Sequence, residues 1–312
     1  MYKVLITSRS FGDLNRQAFE ILEKAGIESV KMKEPYQPET FAKLLEPCDA
    51  LIIGAHPLEE EAVRRAKKLK FICKHGAGID NLNMKMLRKY KVQAAYVPGV
   101  NADAVADLTF GLMLCMARKI NSAAQDVKMG GWSKHIGTDV CYKTLGLIGF
   151  GSIARRVAQR ASGFSMSVQA YDPYLNQVPD AFNFVNLTDL QTVISTSDFV
   201  SLHVPLTDES YHLMGEQELN AMKPGSFLIN TARGGIVDEK ALLQALRTGH
   251  LAGAGLDVLE NEQPGSSFAK LDQVILTPHI GMYSAETINK VGCACAENVV
   301  AALSGKPVKN LL

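Results

Sequence analysis

The sequence predicts an α/β protein of two domains, each built around a parallel sheet. Three observations lead there. Short apolar runs of strand length recur and alternate with amphipathic, helix-forming stretches. A Val97-Pro98-Gly99 break divides these runs into two series. The chain has 312 residues, which suits about two domains at roughly 150 residues each.

The first series of predicted strands is 4–7, 29–32, 50–53, 71–73 and 92–97. After the first interval the strands start 21 residues apart, and each gap holds a polar, helix-forming stretch. Residues 13–25 are the clearest helix, with Leu14, Ala18, Ile21, Leu22 and Ala25 on one face. Continuous apolar strands joined by helices define a parallel sheet covered on both sides.

After the break, one long helix is expected over about 102–130, carrying Val105, Leu108, Leu112, Cys115 and Met116. The second series of strands follows at 144–148, 167–171, 199–203, 227–230, 255–258 and 274–277. A helix at 239–248, ended by Gly249, typifies the connections. Six strands with helices between them match the count of a doubly wound nucleotide-binding domain. The last segment, 284–303, is helical and has no strand after it. It is expected to return to the first domain and make that domain discontinuous.

Composition excludes several classes. Lys plus Arg number 33 against 32 Asp plus Glu, a formal charge of +1. That balance carries no nucleic-acid footprint and no polybasic membrane patch. The apolar fraction of 47% excludes disorder as the dominant state. No apolar run reaches the roughly 18 residues of a membrane helix. The first residues hold too few apolar positions for a signal peptide. The six cysteines form no CxxC pair. They are expected to be reduced, mostly buried thiols of a cytoplasmic protein, with no zinc or other metal site.

Residues 144–155 read strand, glycine turn, helix start, with Gly149-x-Gly151-x-x-Ala154 as the fingerprint. Gly149 permits the tight turn, and Gly151 lets backbone N–H groups approach a pyrophosphate. Ala154 is a permitted small residue at the helix–strand contact. The anion belongs at the helix N-terminus. The next strand ends in Asp172, where the fold places the carboxylate that binds an adenosine ribose. An acid there repels a 2′-phosphate, so NAD is expected over NADP.

Three later strands end in unusual polar residues: Asn230-Thr231-Ala232-Arg233-Gly234-Gly235, Asp257 through Glu262, and Thr277-Pro278-His279-Ile280-Gly281. Ligands bind beyond the carboxyl ends of such strands, so Arg233, Glu262 and His279 are expected to converge. The set suits reduction of a 2-oxo acid by a nicotinamide hydride. Arg233 would clamp the carboxylate with paired donors. His279 would protonate the forming alkoxide, and Glu262 would orient the imidazole and favour its protonated form. Glu260 competes for the role of Glu262.

With these residues in hand, the chain resembles the D-isomer-specific 2-hydroxyacid dehydrogenases, in their phosphoglycerate dehydrogenase-like branch. The resemblance runs nearly the whole length. Its most specific stretches are Gly76-Ala77-Gly78-Ile79-Asp80-Asn81, Pro98-Gly99-Val100-Asn101-Ala102, the glycine turn, His203-Val204-Pro205-Leu206-Thr207, Met222-Lys223-Pro224-Gly225, and the three strand ends above. The resemblance implies a Rossmann-type NAD-binding domain, 98–283, inserted in a discontinuous flavodoxin-like substrate domain of 1–97 and 284–312, with the active site in the cleft between them. It implies Arg233, Glu262 and His279 as catalytic residues. Cofactor contacts would come from Gly149, Gly151, Ser152, Ile153, Asp172, His203, Pro205, Thr231, Ala232, Arg233, Asp257, His279 and Gly281. Substrate contacts would come from Lys74, Gly76, Ala77, Gly78, Arg233 and His279. The long helix from 102 would help form a homodimer, or be plain core.

The chain departs from the branch in places. Lys74-His75 stands where Arg and Tyr are frequent before the glycine loop, and a lysine is a point charge, not a planar fork. Asp107 replaces a usual Glu. The stretch after Glu262 is short and lacks a double proline. Met282-Tyr283 follows Gly281 where small residues are common. His56 and Lys74 are the cationic partners this chain offers a substrate phosphate, and a second subunit could add more. 3-Phosphoglycerate thus stays open but is not favoured on charge, whereas small acids such as hydroxypyruvate or glyoxylate need fewer cations. With the chain ending at Leu312, no regulatory domain with serine feedback is expected. The alternative function is an NADH-sensing, dehydrogenase-like binding protein with little turnover.

Overall fold

The computed structural model describes residues 1–32 and 36–312. They form two compact units, one of Met1–Asn101 with Met282–Leu312, the other of Ala102–Gly281.

The first unit opens with β1 (Lys3–Ile6), α1 (Gln17–Lys24), β2 (Glu28–Lys31), α2 (Pro38–Leu45) and β3 (Ala50–Ile53). It continues with α3 (Glu60–Arg65), β4 (Phe71–Lys74), α4 (Met84–Lys89) and β5 (Gln93–Ala95). Among the described residues the strands form one parallel sheet of order β2-β1-β3-β4-β5. Alternate residues of each strand enter opposite layers, as the period of two requires. Val4, Ile6, Ala50 and Ile52 pack with Phe11, Ala18 and Leu22 on one side. Leu5, Leu51 and Ile53 pack with Phe41, Leu45 and Leu87 on the other. Burying each such side chain contributes about 1.5–3 kcal/mol, so both faces stabilise the sheet.

The second unit starts with α5 (Ala102–Ala117) and α6 (Ile120–Lys128). Then come β6 (Thr144–Ile148), α7 (Ser152–Gly163), β7 (Ser167–Tyr171), β8 (Val185–Leu187), α8 (Leu190–Thr196) and β9 (Phe199–Leu202). α9 (Glu216–Ala221), β10 (Phe227–Asn230), α10 (Glu239–Arg247), β11 (Gly253–Leu256) and β12 (Val274–Leu276) complete it. The strands form a parallel sheet of order β12-β11-β10-β9-β6-β7-β8. The direction of winding reverses between β6 and β9, and ligands bind at such a switch point. α5 lies directly on β11: a Cβ added to Gly255 would meet Leu112 Cβ and Met116 Cε, each at 3.0 Å.

The chain then returns to the first unit as α11 (Ala285–Leu303), capped at its start by Ser284, whose hydroxyl accepts from the Thr287 N–H. α11 packs on α1 at Gly292, where an added Cβ would make an ordinary contact, 3.4 Å, with Ala18 Cβ.

Two sequence expectations are corrected. The helix expected over 102–130 is two helices, broken at Lys119, which takes a left-handed φ of 52°. The cause is the returning chain. The Ala117 carbonyl accepts from the Thr138 N–H at 2.7 Å instead of from the next helical turn. A Cβ on Gly137 would lie 2.3 Å from that carbonyl oxygen, so the approach needs glycine. The apolar period runs on through Ile120 and Val127, but these are 47% and 49% exposed. The sheet also has a seventh strand, β8, beyond the six expected. It is three residues long with Val185 alone buried, too short to stand out as an apolar run.

Candidate active site

The dinucleotide turn lies at the switch point of the second unit. Gly149 has φ +88°, and a Cβ there would lie 2.7 Å from the His203 carbonyl oxygen. Backbone sign and close packing both demand glycine. Gly151 is different: a Cβ there would enter open space, so nothing in the chain itself explains the missing side chain. That vacant approach is what a pyrophosphate needs. Gly151 precedes α7 and brings no side chain to cap it, which leaves the positive helix end beside Ser152 and Ile153 for an anion. Ala154 is fully buried under the turn.

Asp172 closes the turn from the end of β7. One carboxylate oxygen accepts from the Phe150 N–H at 2.9 Å, the other from the Tyr174 N–H at 3.0 Å. The acid is thus fixed in place at the end of the strand after the turn, where doubly wound folds put a ribose-binding carboxylate. His203, just past β9, donates its N–H to the Ile148 carbonyl, and its Nε2 lies 2.9 Å from Ser201 Oγ. Burial pushes its imidazole down to about 3, so it is neutral near neutrality. Pro205 follows on the exposed loop. These features fit a dinucleotide.

Arg233 lies just past β10 and is held by the backbone around it. The side chain of Asn230, almost wholly buried, donates to the Arg233 carbonyl at 2.8 Å and accepts from the Ala232 N–H at 3.0 Å. Arg233 Nη1 donates to the Ala232 carbonyl at 2.6 Å. Thr231 Oγ1 lies 3.0 Å from Thr109 Oγ1, which ties the strand end to α5. Gly234 permits contact with the next loop, since a Cβ there would lie 1.9 Å from the Leu259 carbonyl carbon.

His279 and Glu262 are paired. Nδ1 of His279 lies 2.9 Å from Glu262 Oε1 and 3.1 Å from Oε2. A carboxylate only accepts, so Nδ1 carries the hydrogen and Nε2 is the atom left for chemistry. His279 has a left-handed φ of 53°, and its N–H reaches the carbonyls of Asp257 at 2.9 Å and Thr277 at 3.0 Å. The buried carboxylate of Asp257 organises this turn. Its Oδ1 accepts from Thr277 Oγ1 at 2.6 Å and the Ile280 N–H at 2.8 Å, and its Oδ2 from the Gly281 N–H at 2.8 Å. Burial pushes the carboxyl up, and these three hydrogen bonds act the other way.

In the first unit, Lys74 is almost buried at the end of β4. Its ammonium donates to the Gly54 carbonyl at 2.6 Å and to Asn81 Oδ1 at 2.8 Å. Asn81 in turn donates to the carbonyls of Gly54 and His56. The ring of His56 reaches Thr7 Oγ1 at 2.7 Å and the Pro57 carbonyl at 2.9 Å. Gly76 takes φ +136° at the start of the loop that holds Ala77 and Gly78. His75 is 5% exposed, with Nδ1 3.1 Å from Ser8 Oγ.

Within the second unit, the glycine turn, Asp172, His203, Arg233 and the His279–Glu262 pair all follow the carboxyl ends of the strands. Glu260 does not compete for His279, because its carboxylate is 2.6 Å from His212 Nε2. Sequence reasoning passed over Asn230 as the clamp of the Arg233 loop. An asparagine ending an otherwise apolar strand was the available signal, since a buried amide needs partners.

Fold and site together define a dinucleotide-dependent oxidoreductase with a paired imidazole and a nearby guanidinium loop. The model of the D-isomer specific 2-hydroxyacid dehydrogenase NAD binding domain matches residues 110–281. A glyoxylate reductase of Korarchaeum cryptofilum is 36% identical over 302 residues, covering 94% of this chain and 91% of that protein. A hydroxypyruvate reductase of Thermotoga maritima is 37% identical over 298 residues, covering 93% of this chain and 96% of its own. The crystal structure of the TT0316 protein of Thermus thermophilus superposes with a TM-score of 0.92 at 34% identity, covering 99% of both chains. The chain belongs to the D-isomer-specific 2-hydroxyacid dehydrogenase family, enzymes that act on a CH–OH group with NAD as cofactor.

Proposed function

We propose that this chain reduces a small, unphosphorylated 2-oxo acid of the glyoxylate or hydroxypyruvate class, reversibly, by hydride transfer at C2. The His279–Glu262 pair is the observation that carries this reading. The glycine turn and Asp172 would hold NAD, which when bound would supply or accept the hydride. Arg233 binds the substrate carboxylate and polarises the adjacent carbonyl. His279 Nε2 delivers a proton to the forming alkoxide and takes it back in the oxidation direction. Glu262 holds the ring so that Nε2 faces the reacting oxygen. Within the first unit, Lys74 holds the chain before the Gly76-Ala77-Gly78 loop through Gly54 and Asn81. Lys74 and His56, the two candidate partners for a phosphate, are each hydrogen-bonded within their own unit, which supports a substrate without a phosphate group.

We also propose a cytoplasmic homodimer. Its contact would lie on the segment after α6, where Met129, Trp132, Ile136 and Tyr142 are 79–87% exposed. Exposed apolar side chains clustered along one segment mark an interaction surface.

The test is NADH oxidation by the wild type and His279→Gln with glyoxylate, hydroxypyruvate and phosphohydroxypyruvate. Turnover of the first two, cut about 10²–10⁴-fold in the variant with NADH affinity kept, is expected. A preference for the phosphorylated acid would overturn the substrate class. NADH-dependent self-association without turnover of any acid would replace the enzyme by a sensor.

A further inference from the structure

We propose that His212 is a positioning residue for the reaction, joining the Arg233 loop to the Glu262 loop. It holds one loop by its backbone and the other by its side chain. The His212 N–H donates to the Gly235 carbonyl at 2.8 Å, two residues past Arg233. Its Nε2 donates to Glu260 Oε1 at 2.6 Å, two residues before Glu262. Because the carboxylate only accepts, Nε2 carries the hydrogen in this bond.

The residue is built for the task. His212 takes a left-handed φ of 52°, which turns its N–H and its ring toward two different neighbours. Tyr211 stacks on the ring at 4.0 Å with the planes 15° apart and fixes its orientation. Glu260 is held again from behind, where its N–H donates to Glu239 Oε1 at 2.7 Å. A single loop, 257–262, thus carries two parallel histidine–carboxylate pairs, His212–Glu260 and His279–Glu262. The first sets the loop so that the second can form.

The His212 and Glu260 side chains are 31% and 35% exposed. A pair so placed adds little to global stability, and its consequence is local. Displacement of a catalytic carboxylate by about 1 Å is enough to cost up to about 10²-fold in rate. The pair therefore acts on kcat and loop order, not on folding.

The inference rests on the catalytic roles proposed above for Arg233 and Glu262. Its test compares His212→Asn, Glu260→Ala, the double variant and Glu260→Gln. Asparagine tolerates the left-handed backbone but is too short to reach Glu260. Each of the first two is expected to lower kcat for the best 2-oxo acid about tenfold, with the KM for NADH within about twofold. The double variant should fall no further than either single one, because both remove the same bond. Glu260→Gln keeps an acceptor oxygen and should retain at least about half the wild-type kcat. Hydrogen exchange should quicken at 233–236 and 258–263 in the first two variants and not in α10. Unchanged kcat in both single variants, multiplied losses in the double variant, or a glutamine variant as slow as the alanine one would each overturn the inference. If the wild type reduces no 2-oxo acid, the proposed reaction fails instead. Exchange at the two loops then decides, and unchanged exchange would overturn the joining role.

Discussion

Gly234 and Leu259 touch backbone to backbone: a Cβ on Gly234 would lie 1.9 Å from the Leu259 carbonyl carbon and 2.1 Å from its oxygen. This contact sets the spacing between the loop that carries Arg233 and the loop that carries Glu262. No rotamer change relieves a clash with backbone.

Gly234→Ala should therefore separate the two loops. We expect a loss of about 1–3 kcal/mol in stability from overpacking and about 10²-fold in kcat from misplacement. Steady-state NADH oxidation and thermal unfolding of the purified variant check both. An alanine variant with wild-type kcat would show that the spacing does not matter to the chemistry.

Asp172 predicts cofactor choice. Its carboxylate is fixed by the Phe150 and Tyr174 N–H groups, so it cannot swing away from a 2′-phosphate. Asp172→Asn removes the charge and keeps one acceptor oxygen. The ratio of kcat/KM for NADPH over NADH should rise about tenfold, as removal of a like-charge contact requires. An unchanged ratio would place cofactor discrimination elsewhere.

His75 predicts an acid limb in stability. Burial, and then the neighbouring Lys74 charge, push its imidazole down from 6.5 to about 4. The unfolded chain takes up a proton near 6.5, and the folded chain does not until about 4. Stability from this group is thus fully present above 6.5 and falls as pH drops from 6.5 toward 4. Between pH ~7.5 and ~5 the loss amounts to about 2 kcal/mol. His75→Gln should flatten that part of the curve, measured by urea unfolding followed by circular dichroism across that pH range. Parallel pH curves for the two proteins would refute the assignment.

Much of this was legible in the sequence, and the reasons are physical. Parallel strands buried on both faces are continuous apolar runs, so 50–53 and 144–148 coincide with β3 and β6. Arg233, Glu262 and His279 stood out because each polar residue follows an apolar strand, where such sheets place their ligands. The joints between those loops did not stand out. Gly234 meets Leu259, and His212 meets Glu260, across sequence gaps that carry no periodic signal. The break at Lys119 was hidden for a similar reason. It is imposed by Gly137 and Thr138 returning across the helix end, while the helix's own apolar period continues through Ile120.

The proposed reaction is hydride transfer to C2 beside a proton-donating His279. The most direct measurement is reduction of hydroxypyruvate with NADH carrying two deuterium atoms at C4 of its nicotinamide, followed by mass and chiral analysis of the product. D-glycerate with one deuterium on C2 is expected from the wild type and almost none from His279→Gln. Product without deuterium at C2, or equal yields from both proteins, would contradict it.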